Sequence, residues 1–238
     1  VPQPRLLDLF CCGGGAAVGY QRAGYHVTGV DIRPQPRYAG HQFHQADALD
    51  YLDRHGHEYD AIHASPPCQR FSRLNAYNQV RTYPDLITPI RRALRAQHVP
   101  YVIENVETAH RELINPVKLC GTMFGLKIYR HRLFETNFPV PIPEHPRHVW
   151  PCTRNSYLPT PDAPYMSIHG GKHSHTWQST ACQYMDLPHL DVTTSGATIR
   201  DAIREICEAI PPAYTHHIGA AALNPWGATE TPAQLTAF

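Results

Sequence analysis

The sequence predicts an α/β fold, and three observations carry the prediction. Short apolar runs that end in polar or charged residues alternate with stretches of helical spacing. The first run, Arg5–Phe10, passes through Cys11-Cys12-Gly13-Gly14-Gly15 into a helical segment, a strand, turn and helix start where a ligand can approach the backbone closely. A later run, Tyr59–Ala64, stops at Ser65-Pro66-Pro67-Cys68, so a thiol stands on a stiff loop at the carboxyl end of a strand, where open α/β sheets place their chemistry.

The totals bound the answer. At 238 residues the chain can bury a full core. No apolar run approaches the ~18 residues of a membrane span, and the start of the sequence carries no charged-then-apolar signal, so a cytoplasmic protein is expected. Seven cysteines, an odd number with two adjacent, argue for reduced thiols rather than a disulfide framework. A formal net charge of +1 gives no overall electrostatic footprint for nucleic acid, so such a partner must be held by a local patch.

Taken in order, Ala16–Ala23 is the first helix and His26–Asp31 the second strand. Asp31 lies 23 positions after Asp8, near the ~20-residue offset at which a carboxylate reaches the hydroxyls of a ligand ribose. Asp47 has two equal readings: a partner for an exocyclic amine, or a cap for the helix at Leu49–Leu52. The polar stretch Ser72–Tyr83 reads as a loop able to close over a site. Leu86, Ile90 and Leu94 share a helical face between Pro84 and Gln97, with arginines on the other. Tyr101–Val106 is a fifth strand and brings Glu104 to the same rim as Cys68.

A cysteine at a strand end is by itself more often a small buried hydrophobe than a reactive group. With a carboxylate on the same rim the catalytic reading becomes the better one. Leu119–Leu126 reads as a turn and a short apolar segment. Tyr129–Glu135 alternates in strand fashion, which would place Arg130 and Arg132 on one face for an anionic or planar substrate; the bland alternative is a charged edge strand. From Phe138 to Ser195 no periodicity is convincing. Basic and aromatic residues are interleaved there, a mixture that can lay cations on phosphates and rings on bases. Cys152, His173, His175 and Cys182 lack finger-like spacing, so no metal is expected. Thr198–Ala209 and Ala213–Leu223 are helices separated by Pro211-Pro212.

Together, Asp8–Gly15, Asp31, Asp47, Pro66-Pro67-Cys68-Gln69, Glu104-Asn105-Val106 and Arg130-His131-Arg132 resemble the DNA cytosine-5 methyltransferases, especially their short, phage-type members. The likeness runs from about Leu6 to Phe134 and resumes over Thr198–Gly219. It implies a Rossmann-like core over 1–136 that binds S-adenosylmethionine, a small irregular target-recognition region over 137–196, helices over 197–223 that pack back on the core, and a tail over 224–238. By the match, Phe10 stacks near the adenine, Gly13, Gly14 and Gly15 face the methionine part, Asp31 holds the ribose, and Asp47 the adenine amine. Ile32, Ala48, Pro66 and Leu86 complete the cofactor wall.

The chemistry implied is addition of the Cys68 thiolate to carbon 6 of a flipped-out cytosine, with Glu104 at ring nitrogen 3 and the amine. Arg132, with Arg130 behind it, would hold the base oxygen and a phosphate. Nearby arginines would raise the thiolate fraction. Arg70, Ser72, Arg73, Arg147, Arg154 and Lys172 are the expected contacts to double-stranded DNA, and a monomer is expected. The sequence departs from the family at Cys12, commonly glycine, at Ile128, often glutamine, and over Cys207-Glu208-Ala209-Ile210, where relatives carry Gly-Asn-Ala-Val. A methyltransferase acting on RNA cytosine and a silent DNA-binding module are the alternatives; the second leaves Cys68, Glu104 and Arg132 without a purpose.

Overall fold

The computed structural model describes residues 2–71, 85–153, 157–195 and 197–224. Seven strands form one sheet: β1 (Arg5–Leu9), β2 (His26–Asp31), β3 (Gln42–Gln45), β4 (Ala61–Ala64), β5 (Tyr101–Val106), β6 (Val117–Leu119) and β7 (Arg132–Thr136). Their order is β3-β2-β1-β4-β5-β7-β6. Strands β1 to β5 run parallel, whereas β7 is antiparallel to both β5 and β6. The chain reverses its strand order at β1 and β4, so a crevice opens at the carboxyl ends of these two strands.

Helices cover both faces. Helix α1 (Gly15–Arg22) and the last helix, α7 (Pro212–Ala222), share one core with Leu6, Val27, Val102 and Phe134 of the sheet. Helices α2 (Ala48–His55) and α3 (Ile87–Arg95) bury Leu52, Ile90 and Leu94 on the opposite face against Leu7, Ile62 and Ile103. Parallel strands buried on both faces read as the continuous apolar runs seen in the sequence. Pro212 opens α7 at a position where a missing N–H costs nothing.

A third core joins α4 (His175–Met185) to α6 (Ile199–Glu208), with the four-residue α5 (Val192–Ser195) between them. Trp177, Ala181, Cys182 and Met185 pack there against Ile128, Leu190 and Ile206. Helix α4 corrects the reading of 138–195 as aperiodic: Ser174 caps it through a bond from the Trp177 N–H, and the buried residues recur at helical spacing. Strand β6 is likewise an addition, three residues long and, among the described residues, paired with β7 alone.

Strand β7 begins later than the alternation suggested. Arg130 precedes it and does not share a strand face with Arg132. One α3 arginine is also not a solvent-face residue: Arg91 is clamped by both oxygens of Glu135 at 2.7 Å, and Glu135 is 1% exposed. Among the described residues no helix is long and apolar enough to cross a membrane. The expected tail beyond Asn224 and the proposed closing loop Ser72–Tyr83 lie outside the described residues.

Candidate active site

A cavity of about 400 Å³ opens where β1, β4 and β5 end, bounded on its far side by the segment Cys207–Ile210. One half of its wall holds Cys68, Glu104 and Arg132, and the other holds Asp8, Phe10, Asp31, Ile32 and Glu208.

The reactive half is built by strand ends. Asn105, buried beside Glu104, donates from Nδ2 to the Pro66 carbonyl at 2.9 Å, and Thr108 donates to the Phe71 carbonyl at 2.6 Å. Strand β5 and the turn that follows it thereby grip the segment Pro66–Phe71 at two points, one on each side of Cys68, and fix Cys68 relative to Glu104. Such fixed placement is what a nucleophile requires. Arg132 Nε lies 3.0 Å from Glu104 Oε1, and both side chains are largely buried.

Burial pushes the Cys68 thiol above its ordinary value, and the Glu104 carboxylate adds to the rise; Arg132 and Arg130 pull it down without cancelling the effect. The arginines act in the expected direction, but burial and the Glu104 charge outweigh them in the free protein. Burial also raises Glu104, against the pull of Arg132, Arg130 and the Ser65 hydroxyl.

A buried chain of hydrogen bonds runs to Glu104 from below. Tyr20 Oη lies 2.9 Å from His63 Nδ1, His63 Nε2 lies 2.8 Å from Ser65 Oγ, and Ser65 bonds to Glu104. Burial holds His63 down at about 3, so the ring is neutral. Every group is satisfied if Tyr20 donates to Nδ1, Nε2–H donates to Ser65, and Ser65 donates to Glu104. Tyr20, His63 and Ser65 were not singled out from the sequence; the signal available was a histidine inside the apolar run Ala61–Ala64.

The other half is shaped by the turn after β1. Phe10 and Cys12 hold left-handed backbone, φ 59° and 45°, and Gly14 does so at 83°. Cys12 thus carries a side chain at a position where glycine would be free of strain. Asp31 accepts from the Cys12 N–H at 3.1 Å and from the Arg33 N–H at 2.9 Å, which pins the turn to β2. Asp8 is 1% exposed, accepts a hydrogen bond from Tyr38, and is pushed well above the usual carboxylate range by burial. Tyr38 seats against Gly29 and Gly40, where an added Cβ would lie 2.2 and 2.3 Å from its ring. Arg37 on the same loop pairs with buried Glu205 of α6.

The structure sorts the remaining sequence candidates. Phe10, Gly15, Asp31, Ile32, Pro66 and Leu86 line the cavity. Gly13 and Gly14 stand behind its wall, against Leu190 and Tyr38. Asp47 is exposed and caps α2, accepting from the Leu49 and Asp50 N–H groups, and Ala48 is buried in the α2 core. Neither is part of the wall.

Arg130 is a structural tie rather than a cavity group. Its guanidinium donates to the carbonyls of Ile168 at 3.2 Å, Cys207 at 2.5 Å and Ala209 at 2.8 Å, binding the rear wall to the segment before β7. The departure at Ile128 is a buried member of the third core. Arg70, Arg147 and Lys172 are exposed, and Ser72, Arg73 and Arg154 lie outside the described residues. Glu208 and Arg33, ion-paired at 3.4 Å, also reach the wall and were not among the sequence candidates.

No protein-family model and no curated protein matches the chain. Among solved structures it is similar to a prophage-encoded E. coli protein named as a DNA modification methyltransferase, with a TM-score of 0.64, 15% identity, and 93% of this chain and 99% of that chain covered. It is also similar to the Dnmt2 methyltransferase of S. pombe, with a TM-score of 0.62, 15% identity, and 94% and 99% covered. A third likeness is to the Entamoeba histolytica methyltransferase EhMeth, with a TM-score of 0.59, 12% identity, and 94% and 98% covered. These likenesses extend over nearly the whole of each chain and show a shared fold.

Proposed function

We propose that this protein transfers a methyl group from S-adenosylmethionine to carbon 5 of cytosine in double-stranded DNA. The observation that carries the reading is the meeting of Cys68, Glu104 and Arg132 on one wall of a cavity whose other half is rich in carboxylates.

The cofactor half fits its ligand chemically. Asp31 and Glu208 suit a molecule with a sulfonium and an amino group, while Phe10, Ile32 and Leu86 offer apolar surface to a purine. When bound, S-adenosylmethionine supplies the electrophilic methyl group.

Carbon 5 of cytosine is a poor nucleophile within its aromatic ring. Cys68, its proton passed to Glu104, adds to carbon 6; the ring electrons then gather at carbon 5. Glu104 in its acid form donates to ring nitrogen 3, where negative charge develops, and Arg132 keeps the carboxyl aimed and can meet the base oxygen. After methylation the carbon 5 proton passes to solvent, the thiolate leaves carbon 6, and ring nitrogen 3 returns its proton to Glu104, which restores the ring and the acid. Base binding resolves the resting state of the thiol: a protonated Glu104 no longer repels the thiolate. Because the reactive groups line a cavity, the base must leave the helical stack to reach them.

The DNA reading draws on the prophage-encoded neighbour, named for DNA modification. Arg70, Arg147 and Lys172 are the proposed backbone contacts. The test is to offer labelled methyl donor with duplex DNA or with RNA, and to trap the enzyme on duplex carrying 5-fluorocytosine. Methyl incorporation into DNA and a covalent complex mapped to Cys68 are expected. Incorporation into RNA alone would move the substrate assignment. No transfer to either polymer and no trapped complex would overturn the reading.

A further inference from the structure

We propose that Cys120, His131, His145 and His148 form a four-ligand zinc site that fastens a proline-rich strap to the edge of the sheet. Among the described residues these four side chains converge so that one ligand atom from each lies within 4.8 Å of the others. They differ from the cysteines and histidines considered from spacing alone.

The sheet supplies half of the site. Leu119 of β6 pairs with Arg132 of β7, so the next residues outward, Cys120 and His131, face each other where the antiparallel pair ends. The strap supplies the rest. Residues 139–150 contain no helix or strand and include Pro139, Pro141, Pro143 and Pro146. His145 and His148 are separated by Pro146-Arg147, three positions apart, and reach back to the sheet edge.

Two of the six distances between ligand atoms are already those of tetrahedral edges, and the rest lie within 4.8 Å. His131 Nε2 and His145 Nε2 are 3.3 Å apart, and Cys120 Sγ and His148 Nε2 are 3.4 Å apart. With zinc–nitrogen bonds of about 2.0–2.1 Å and a zinc–sulfur bond of about 2.3 Å, tetrahedral edges are about 3.3–3.4 Å between nitrogens and about 3.5 Å between sulfur and nitrogen. One thiolate and three imidazoles leave no open position, which is the form of a structural rather than a catalytic zinc site.

The surroundings orient the ligands in the manner of a metal site. His131 Nδ1 is 3.4 Å from Glu107 Oε2, so a proton on Nδ1 leaves the Nε2 lone pair facing the cluster. Thr122 Oγ1 donates to Cys120 Sγ at 3.3 Å and holds the sulfur in place. The Tyr129 ring stacks on His148 with centroids 3.8 Å apart and sets its plane. Hydrogen bonding alone would explain the two short contacts, but not why all four ligand atoms meet. On binding, zinc takes the place of the Cys120 proton, which passes to solvent.

The site has a consequence for the cavity. His131 adjoins Arg132, and the strap presents exposed Arg147 and Trp150. One ion therefore links the guanidinium beside Glu104 to a basic and aromatic surface.

The experiment uses the full chain without a polyhistidine tag, purified without added metal and dialysed against a weak chelator. Elemental analysis should find one zinc per chain, lost in the His145→Ala/His148→Ala double variant, whose exposed positions leave the fold intact by circular dichroism. Cobalt(II) added to metal-free protein should give the intense bands of tetrahedral thiolate coordination, and Cys120→Ser should remove the sulfur band. A folded wild-type protein that holds no zinc and gives no such cobalt spectrum would overturn the proposal. Equal zinc retention by the double variant would overturn it as well.

Discussion

Glu104 Oε1 lies 3.0 Å from Arg132 Nε, and Glu104 is the neighbour that, after burial, does most to keep the Cys68 thiol protonated. The same carboxyl that the proposed reaction needs as an acid therefore restrains the nucleophile while it is an anion. Replacing Glu104→Gln removes that charge and leaves Arg132 in place. Alkylation of Cys68 by iodoacetamide at neutral pH, followed by peptide mass mapping, should become several-fold faster. Methyl transfer should fall by about 10²–10⁴-fold, the range typical of a lost general acid. Slower alkylation in the variant would contradict the electrostatic account.

The pH profile follows from the same pair. The competent free enzyme holds one proton between the two groups, on Glu104 and not on Cys68. It has the same proton count as the resting form with the thiol intact and the carboxylate charged, so both are populated in one pH window. That window opens as pH rises through the Glu104 value and closes as it rises through that of Cys68. Both are displaced upward, by burial first in each case. The kcat/KM profile should be a bell whose acid limb lies above the ordinary carboxylate range and whose alkaline limb lies above that of a free thiol. In Glu104→Gln only the thiol titrates and the thiolate is the reactive form, so the alkaline fall should vanish and residual activity should rise to a plateau through a Cys68 value lowered by loss of the Glu104 charge.

Ser65 offers an independent handle on the acid limb. Its hydroxyl bond to Glu104 lowers that carboxyl, opposing burial. In Ser65→Ala the opposition is gone, so Glu104 keeps its proton to higher pH and the acid limb should move upward. The alkaline limb depends less on this bond. Paired kcat/KM profiles of wild type and variant check the shift, and a downward move of the acid limb would show that the chain from Tyr20 through His63 does not end on Glu104 as inferred.

Asp31 joins the turn to the ligand half of the cavity. Two backbone N–H groups already converge on its oxygens at 3.1 and 2.9 Å. Asp31→Ala removes an acceptor for a bound ligand and also frees the Cys12 turn, whose left-handed backbone is costly without that support. A hydrogen bond to a charged group contributes about 1.5–3 kcal/mol, so S-adenosylmethionine binding measured by calorimetry should weaken by roughly 10–100-fold. Unchanged affinity would reject this placement of the cofactor.

Much of this site was legible because each apolar run hands one polar residue to the crevice: Asp8 within β1, Asp31 after Val30, Cys68 after the two prolines, Glu104 within β5. What escaped depended on contacts distant in sequence. The alternation around Arg130 and Arg132 looked uniform, but pairing with β5 and β6 begins only at Arg132, leaving Arg130 to three carbonyls from later segments. Helix α4 was hidden by the histidines and prolines around it, although Trp177, Ala181 and Met185 lie four residues apart. Asp47 could not be decided, because a cap and a ligand acceptor call for the same residue; in the structure it caps α2. Tyr38 was invisible until folding set it against Gly29 and Gly40.

The closeness of α1 and α7 gives a prediction about stability rather than chemistry. Gly19 faces α7 so tightly that an added Cβ would lie 2.0 Å from Thr215 Oγ1, 2.2 Å from the Pro212 carbonyl oxygen and 2.7 Å from the His216 nitrogen. Two of these atoms are backbone and cannot rotate away, so Gly19→Ala must part the helices. Alanine improves intrinsic helix propensity by about 1 kcal/mol, but overpacking a tight contact costs about 1–3 kcal/mol, and here the obstacle is backbone, which places the cost at the upper end. Net destabilisation of about 1–2 kcal/mol is expected, lowering Tm by roughly 2–8 °C at about 2–4 °C per kcal/mol for a chain of this size. Gly170→Ala, whose Cβ would meet nothing within 4 Å, serves as the control and should stay within about 0.5 kcal/mol of wild type. A Gly19→Ala protein that melts at or above the wild-type temperature would show that the helix pair has slack, and with it the rear wall formed by Ala209 and Ile210 just before α7.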